Sequence, residues 1–249
     1  MTPRTLLCAL LVARAAGFAP SARRAELATL RRASVAESAP ESAESSFDAS
    51  AALATLKKAA AREDVDPDAV VDALLGLERG QRALAREDGG AASRATLAAL
   101  DGAWRLVFTT GTIDTQQKLG RKINYFPVKA VQTFRTSDMT LTNGIYVGDF
   151  AVLRFFGPFT WDEQKRKLEF DFDALAVLGA RFDLPKGKAA SIGKSTGLGS
   201  DNNEKLVEQG KRPFFNWISA DADVATARGG GGGLALWRRD RELEQREGW

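Results

Sequence analysis

Few side chains in this 249-residue chain could carry chemistry, and most of them are acids and amides. The chain contains no histidine, and its single cysteine is Cys8. A Ser-His-Asp triad, an imidazole metal site, an intramolecular disulfide and a cysteine-ligated iron–sulfur cluster are therefore excluded, and no cofactor is expected. The 35 basic and 32 acidic residues nearly balance, which argues against nucleic acid as a partner.

Two pairs of aspartates could perform acid–base chemistry or bind a cation. Asp171 and Asp173 lie two residues apart, and Asp221 and Asp223 have the same spacing. Residues two apart in a strand share one face, so each pair could act together. Strict alternation around the first pair predicts a solvated strand face instead. An enzyme that uses Asp221 and Asp223 stays an open hypothesis, which carboxyl pKa values raised inside a cavity would support.

The elements that must position these residues begin with helices. An alanine-rich stretch with two leucines three residues apart predicts a helix over residues 48–62. Asp66 followed by Pro67 predicts the start of a second helix, which Gly80 would end. Ser93 is the predicted cap of a third helix.

From Trp104 onward, apolar residues recur with the period of a strand. The strand-like segments are residues 104–109, 131–134, 141–147, 150–156, 167–173, 180–184, 214–219 and 234–237. Many short strands with one apolar face predict an antiparallel barrel or sandwich. We therefore expect a mainly β protein with a helical N-terminal segment over 47–100, a barrel over 101–240 and a charged tail over 241–249.

Residues 185–213 form a long glycine- and lysine-rich segment between two predicted strands. It contains five glycines, six bases, three acids and few bulky apolar residues. A loop of this length in a compact domain is usually functional or disordered. We expect it to act as a lid or a docking surface.

The N-terminus is typical of a targeting sequence. Residues 1–17 combine a basic start, a short apolar run and small residues, which predicts a signal peptide. Residues 18–46 are rich in serine, alanine and arginine and predict a transit peptide and linker. AGFAP at residues 16–20 resembles the motif after signal cleavage in algae with secondary plastids, which implies a plastid address; plain secretion is the alternative. No apolar run reaches the roughly 20 residues of a membrane-spanning helix.

A Gly-x-Trp motif opens the strand-rich part. Gly102 and Trp104 resemble the lipocalin signature, in which glycine lets the chain bend into the first strand. The resemblance implies that the indole fills the closed end of a barrel. Arg238 and Arg239, after the last strand, are placed to stack on that indole.

A longer resemblance includes this motif. LDGAWRLVFTT at residues 100–110 resembles the opening of the plastid lipid-associated protein, or fibrillin, family. Gln132 and Asn143 resemble a later Gln and Asn of that family, and DADVATARG at residues 221–229 resembles its C-terminal signature, with Ala225 where many members carry Arg. The implied structural signature is Gly102, Trp104, Asp221, Asp223 and Gly229. The resemblance implies an antiparallel lipocalin-like β-barrel that is not an enzyme.

A ligand site follows from the strand alternation. The apolar lining would include Phe108, Phe134, Phe170 and Phe172, and Gln132 would share the face of Phe134. We hypothesise that Gln132, Asn143 and Arg228 orient a ligand's polar head, such as a quinone carbonyl, a carboxylate or a diphosphate. The alternative is that they bond to one another or to the backbone and only fix the barrel.

The resemblance implies binding of a lipid or isoprenoid at a thylakoid or plastoglobule surface. A second hypothesis is a scaffold that holds a prenyl-lipid biosynthetic enzyme without a ligand of its own. Cavity volume separates the two, because ligand pockets usually exceed about 300 Å³.

Overall fold

The computed structural model describes residues 48–84, 88–195 and 201–249. The predicted signal peptide (1–17) and transit peptide (18–46) lie outside these residues. The helices are α1 (Ala49–Arg62), α2 (Pro67–Leu84), α3 (Ala91–Leu100), α4 (Ile113–Leu119), α5 (Lys188–Ser195), α6 (Asp201–Glu208) and α7 (Arg241–Glu247). The strands are β1 (Gly102–Thr109), β2 (Asn124–Tyr125), β3 (Lys129–Arg135), β4 (Thr140–Val147), β5 (Phe150–Asp162), β6 (Lys167–Phe170), β7 (Ala174–Val177), β8 (Ala180–Asp183), β9 (Phe214–Ala220), β10 (Val224–Gly229) and β11 (Leu234–Arg239).

The first helices begin at the residues that can cap them. The Asp48 carboxylate accepts hydrogen bonds from the Ser50 and Ala51 amides at the start of α1. Asp66 does the same for α2, with Pro67 in the first helical position. Helix α2 does not end at Gly80, since Leu77 packs in the core before it and Gln81 accepts hydrogen bonds from Arg166 after it, and these contacts outweigh the cost of about 1 kcal/mol for a helical glycine.

The third helix begins two residues before the predicted cap. The Asp88 carboxylate accepts from the Gly90 and Ala92 amides, so Asp88 supplies the acceptor expected of Ser93. Ser93 lies inside α3, where its hydroxyl accepts a hydrogen bond from the Trp161 indole N–H at 3.2 Å. This bond ties α3 to strand β5.

The strands form one antiparallel sheet, as predicted, with the helices before it. Its order is β4-β3-β1-β11-β10-β9-β6-β5, and β5 also pairs with β4. Residues 159–162 of β5 pair with β6, whereas residues 153–156 pair with β7, which continues into β8. The sheet therefore closes partly into a ring: it is closed where β5 meets β6, and it splits where β7 leaves.

The register gives the ring two ends. The plug end contains the strand termini Gly102, Arg135, Thr140, Asp162, Ala220, Val224 and Arg239. The open end contains Thr109, Lys129, Val147, Phe150, Gly229 and Leu234. Strands β7 and β8 meet at a turn on the open end as well.

Two apolar layers stabilise the molecule, one outside the ring and one inside it. The outer layer joins α1 and α2 to the sheet through Leu56, Val70, Leu74, Leu77, Phe108, Ile218, Val224 and Leu236. The inner layer includes Trp104, Phe134, Phe159, Leu168, Trp217 and Trp237. Each fully buried side chain of this size contributes about 1.5–3 kcal/mol. Residues 48–249 accordingly form one compact unit.

Phe108 belongs to the outer layer, so its predicted place in the ring interior was wrong. The pairing of β1 with β11 shifts register between Leu106 and Phe108. Such a bulge inserts one residue and reverses the alternation that follows. Phe108 consequently packs edge-on against Tyr125, with ring centroids 5.4 Å apart.

The segment 185–213, predicted as a loop, contains the two short helices α5 and α6. Tertiary packing overrides its glycine content: Ala189 of α5 is buried against Phe155 and Leu175. The predicted tail is likewise helical over α7. Asp240 caps α7, and Leu243 is buried beneath it.

Candidate ligand-binding cavity

A cavity of about 370 Å³ lies in the open half of the ring. Its wall is mainly apolar and includes Leu106, Ile145, Leu153, Phe155, Phe170, Phe172, Phe215 and Trp237. The predicted lining residues Phe170 and Phe172 are therefore on the wall, and their rings lie 5.3 Å apart. The volume falls at the lower end of the range for pockets that enclose a small molecule.

Aromatic rings fill the other half of the ring. Phe134 packs edge-on against Trp217 at 5.5 Å and against Phe159 at 6.1 Å, and Trp217 lies 5.2 Å from Trp237. Phe134 is predicted as a ligand contact, but the structure places it in this solid plug, away from the cavity wall. We call these rings, together with Trp104, the aromatic plug.

A fixed set of contacts closes the plug end. The Trp104 indole N–H donates to the Leu100 carbonyl at 2.8 Å. The Arg239 guanidinium lies 5.3 Å from the centre of the Trp104 ring, which confirms the predicted stacking, and it donates to the Asp101 carbonyl and the Glu244 carboxylate.

Gly102 is required at this point for two reasons. Its φ is +129°, a backbone conformation that other residues rarely adopt. A Cβ atom here would also lie 2.2 Å from Glu244 Oε1 and 2.5 Å from Arg239 Nη2. The Gly-x-Trp motif therefore makes room for the arginine that covers the indole.

Gln132 and Asn143 face each other on β3 and β4, and both line the cavity. Gln132 is only 8% exposed, and within the described residues its Oε1 is buried without a partner. Leaving such an acceptor unpaired costs about 1–3 kcal/mol. The alternative in which these amides bond to each other or to the backbone is not what the structure shows.

Arg228, predicted as a ligand contact, is not among the residues that line the cavity. It lies on the outer face of β10, where Nε and Nη2 bind the two Glu78 carboxylate oxygens at 2.8 and 2.5 Å. Its Nη1 donates to the Gly232 carbonyl. The hydrogen bonds from Arg228 hold the Glu78 pKa below its usual value, against the opposing effect of burial.

Asp221 and Asp223 also lie outside the cavity wall. Asp221 accepts from the Asp223 and Val224 amides in the β9–β10 turn, and Lys57 of α1 binds both carboxylates at 3.0 Å. Burial acts to raise the Asp221 pKa, but the two amides and the Lys57 ammonium outweigh it and lower the pKa. A lowered pKa outside the cavity does not support the acid–base hypothesis.

The mouth of the cavity is lined by segments that the strand pattern does not identify. Thr112 and Thr115 of the α4 region, Ala189 and Gly193 of α5, and Val207 of α6 line it. Lys205 of α6 and Asp114 of α4 form an ion pair at 3.0 Å. Residues of helices α5 and α6, from the segment predicted as a lid or docking surface, thus lie on the cavity wall.

The glycine run 229–233 lies beside the Thr112 segment at the same mouth. Gly229, Gly231 and Gly233 line the cavity. A Cβ atom on Gly233 would lie 2.4 Å from the Gly111 carbonyl oxygen, so the two backbones meet too closely for a side chain. Sequence reasoning missed this role because the contact joins segments far apart in the chain.

Exposed apolar side chains concentrate at the open end. Val147 and Phe150 form the β4–β5 tip, and Val177 and Leu178 the β7–β8 tip; each of these side chains is at least 42% exposed. The tips are neighbours, because Val177 pairs with Leu153. We call these four residues the hairpin tips.

The chain matches no protein-family model and no curated protein sequence. Within residues 48–84, 88–195 and 201–249, no helix has both the length and the apolar character needed to cross a membrane.

Proposed function

We propose that this protein is a fibrillin-like, lipocalin-like carrier that reversibly binds one lipid or isoprenoid molecule in a plastid. The observation that carries the proposal is the apolar cavity of about 370 Å³ beside a packed aromatic plug. The volume exceeds the roughly 300 Å³ expected of ligand pockets, whereas a scaffold needs no void. No nucleophile or base is needed, because burial of apolar surface supplies the binding energy.

The hairpin tips support docking on a membrane surface, such as a thylakoid or a plastoglobule. They lie side by side at the open end, from which a ligand could pass directly into lipid. Arg181 lies beside them with its guanidinium 4.5 Å from the Phe156 ring centre, and it pairs with no carboxylate among the described residues. An apolar patch with an adjacent free cation suits an anionic lipid surface.

A cavity-blocking variant tests the binding proposal. Leu153 lines the cavity and the adjacent Val152 does not, so Leu153→Trp fills the void while Val152→Trp adds bulk at a residue outside the cavity wall. We expect the delipidated protein and Val152→Trp to bind one molecule of N-phenyl-1-naphthylamine per chain, measured by fluorescence titration. We expect Leu153→Trp to lose this binding.

Equal binding by the two tryptophan variants would show that the probe does not enter the cavity. Absence of binding in the delipidated wild-type protein would favour the scaffold hypothesis. Circular dichroism of both variants verifies that each one folds.

A further inference from the structure

Hydrogen-bonding capacity on the cavity wall is concentrated at one amide pair. Among the described residues, Gln132 Oε1 is buried without a hydrogen-bond partner, and Asn143 lies opposite Gln132 on the neighbouring strand and also lines the cavity. Other polar groups on the wall are occupied: the Thr109 hydroxyl accepts from the Gly111 amide, and the Thr112 hydroxyl bonds to Thr115. A ligand's polar group would therefore be recognised at Gln132 and Asn143.

The wall offers no counter-charge to an anion. Among the residues that the structure describes, no lysine or arginine lines the cavity. Asp171, an acid, is instead among the residues that line it, with Oδ1 accepting a hydrogen bond from the Phe172 amide. A buried anion without a cationic partner is unfavourable, and a second acid nearby adds repulsion. This argues against the carboxylate and diphosphate head groups that the sequence leaves open.

The buried Oε1 of Gln132 distinguishes between two uncharged polar groups that a ligand could carry, a carbonyl and a hydroxyl. An oxygen acceptor requires a donor, so a quinone or ester carbonyl would leave it unpaired. A hydroxyl group can donate to Oε1 and accept from an amide N–H, and it can rotate to suit either.

We infer, given the proposed function, that the cavity selects an uncharged amphiphile whose polar group is a hydroxyl: a long-chain or isoprenoid alcohol. The apolar wall encloses the chain, and Gln132 with Asn143 binds the hydroxyl. Selectivity arises because analogues without the hydroxyl proton leave a buried acceptor unpaired.

The test compares dodecanol, dodecyl methyl ether and dodecanoate as competitors of N-phenyl-1-naphthylamine in fluorescence titrations. For the wild-type protein we expect dodecanol to bind about tenfold more tightly than either of the others, the factor set by one hydrogen bond. We expect Gln132→Leu to bind the alcohol and the ether equally while still binding the probe.

Thr133→Val is the matched control, because Thr133 is adjacent to Gln132 on the other strand face and is also buried. It should retain the tenfold preference. A wild-type protein that binds the three compounds equally, or prefers dodecanoate, would overturn the inference and leave the cavity function intact. Failure of the cavity function itself would appear separately, as loss of probe binding in the wild-type protein.

Discussion

The two ends of the ring are built from the same strands but differ in packing and in hydrogen bonding. At the plug end, Trp104 has a partner for its N–H and a guanidinium over its ring, and Gly102 leaves no spare space. At the open end, Gln132 lacks a partner, a void remains, and apolar hairpin tips face outward. At the plug end the Trp104 N–H and the Arg239 guanidinium are bound within the chain, although the Trp217 N–H has no partner among the described residues, whereas at the open end an unpaired acceptor borders a void. The difference separates the part that stabilises the ring from the part that we propose binds a ligand.

Truncation of one aromatic residue at each end should give the largest contrast. Trp104→Ala removes a fully buried indole and should lower the free energy of unfolding by about 4 kcal/mol. Phe172→Ala should cost under about 2 kcal/mol, because Phe172 is only partly buried and already borders a void. Urea unfolding measures both values. Equal losses would show that the ends do not differ in packing.

Much of the plug end could be predicted because its information is local. Gly102, Trp104 and Arg239 occur at strand termini, where a short motif and the end of the last strand fix their positions. Asp66 and Pro67 likewise predicted the start of α2 from adjacent residues. Short motifs of this kind are reliable predictors because they determine the local backbone conformation directly.

The open end depends on contacts that no local pattern contains. Arg228 was misplaced because its partner Glu78 is 150 positions away. Phe108 was misplaced by one bulge, which strand alternation cannot detect. Helix α5 forms against the sheet although it contains Gly193, since tertiary packing outweighs helix propensity.

Substitution of the Arg228–Glu78 ion pair tests whether a charged group near the open end stabilises the fold without contributing to ligand binding. Arg228→Met removes two hydrogen bonds from the buried Glu78, which keeps Arg82 as a partner at 2.7 Å, and should cost about 1–3 kcal/mol, measured by urea unfolding. Probe binding should not change, because Arg228 does not line the cavity. The double variant Arg228→Met, Glu78→Leu should recover most of the loss. Reduced probe affinity in a folded Arg228→Met protein would show that Arg228 contributes to ligand binding.

The same pair predicts a pH dependence. Because the folded-state pKa of Glu78 is below the ordinary value of 4.5, its stabilisation is complete above that value and is lost as pH falls through the lowered pKa. Glu78→Gln should remove this part of the acid-side loss. Unfolding curves at neutral pH and below pH 4.5 measure it. If Glu78→Gln lost as much stability on acidification as the wild-type protein, the loss would arise from other carboxylates.

The smallest expected effect concerns exposed aromatic residues at the two ends. Phe150 is 57% exposed at the open end, and Trp249 is 38% exposed beside Arg135 at the plug end. Of these two residues, only Phe150 lies at the end that we propose docks on a lipid surface. Phe150→Ser should weaken binding to phosphatidylcholine vesicles that contain phosphatidylglycerol by about tenfold, since burial of the remaining ring surface contributes about 1–2 kcal/mol. Trp249→Ser should change vesicle binding little, although it removes the larger ring. Flotation measures both, and equal losses would mean that docking does not distinguish the two ends.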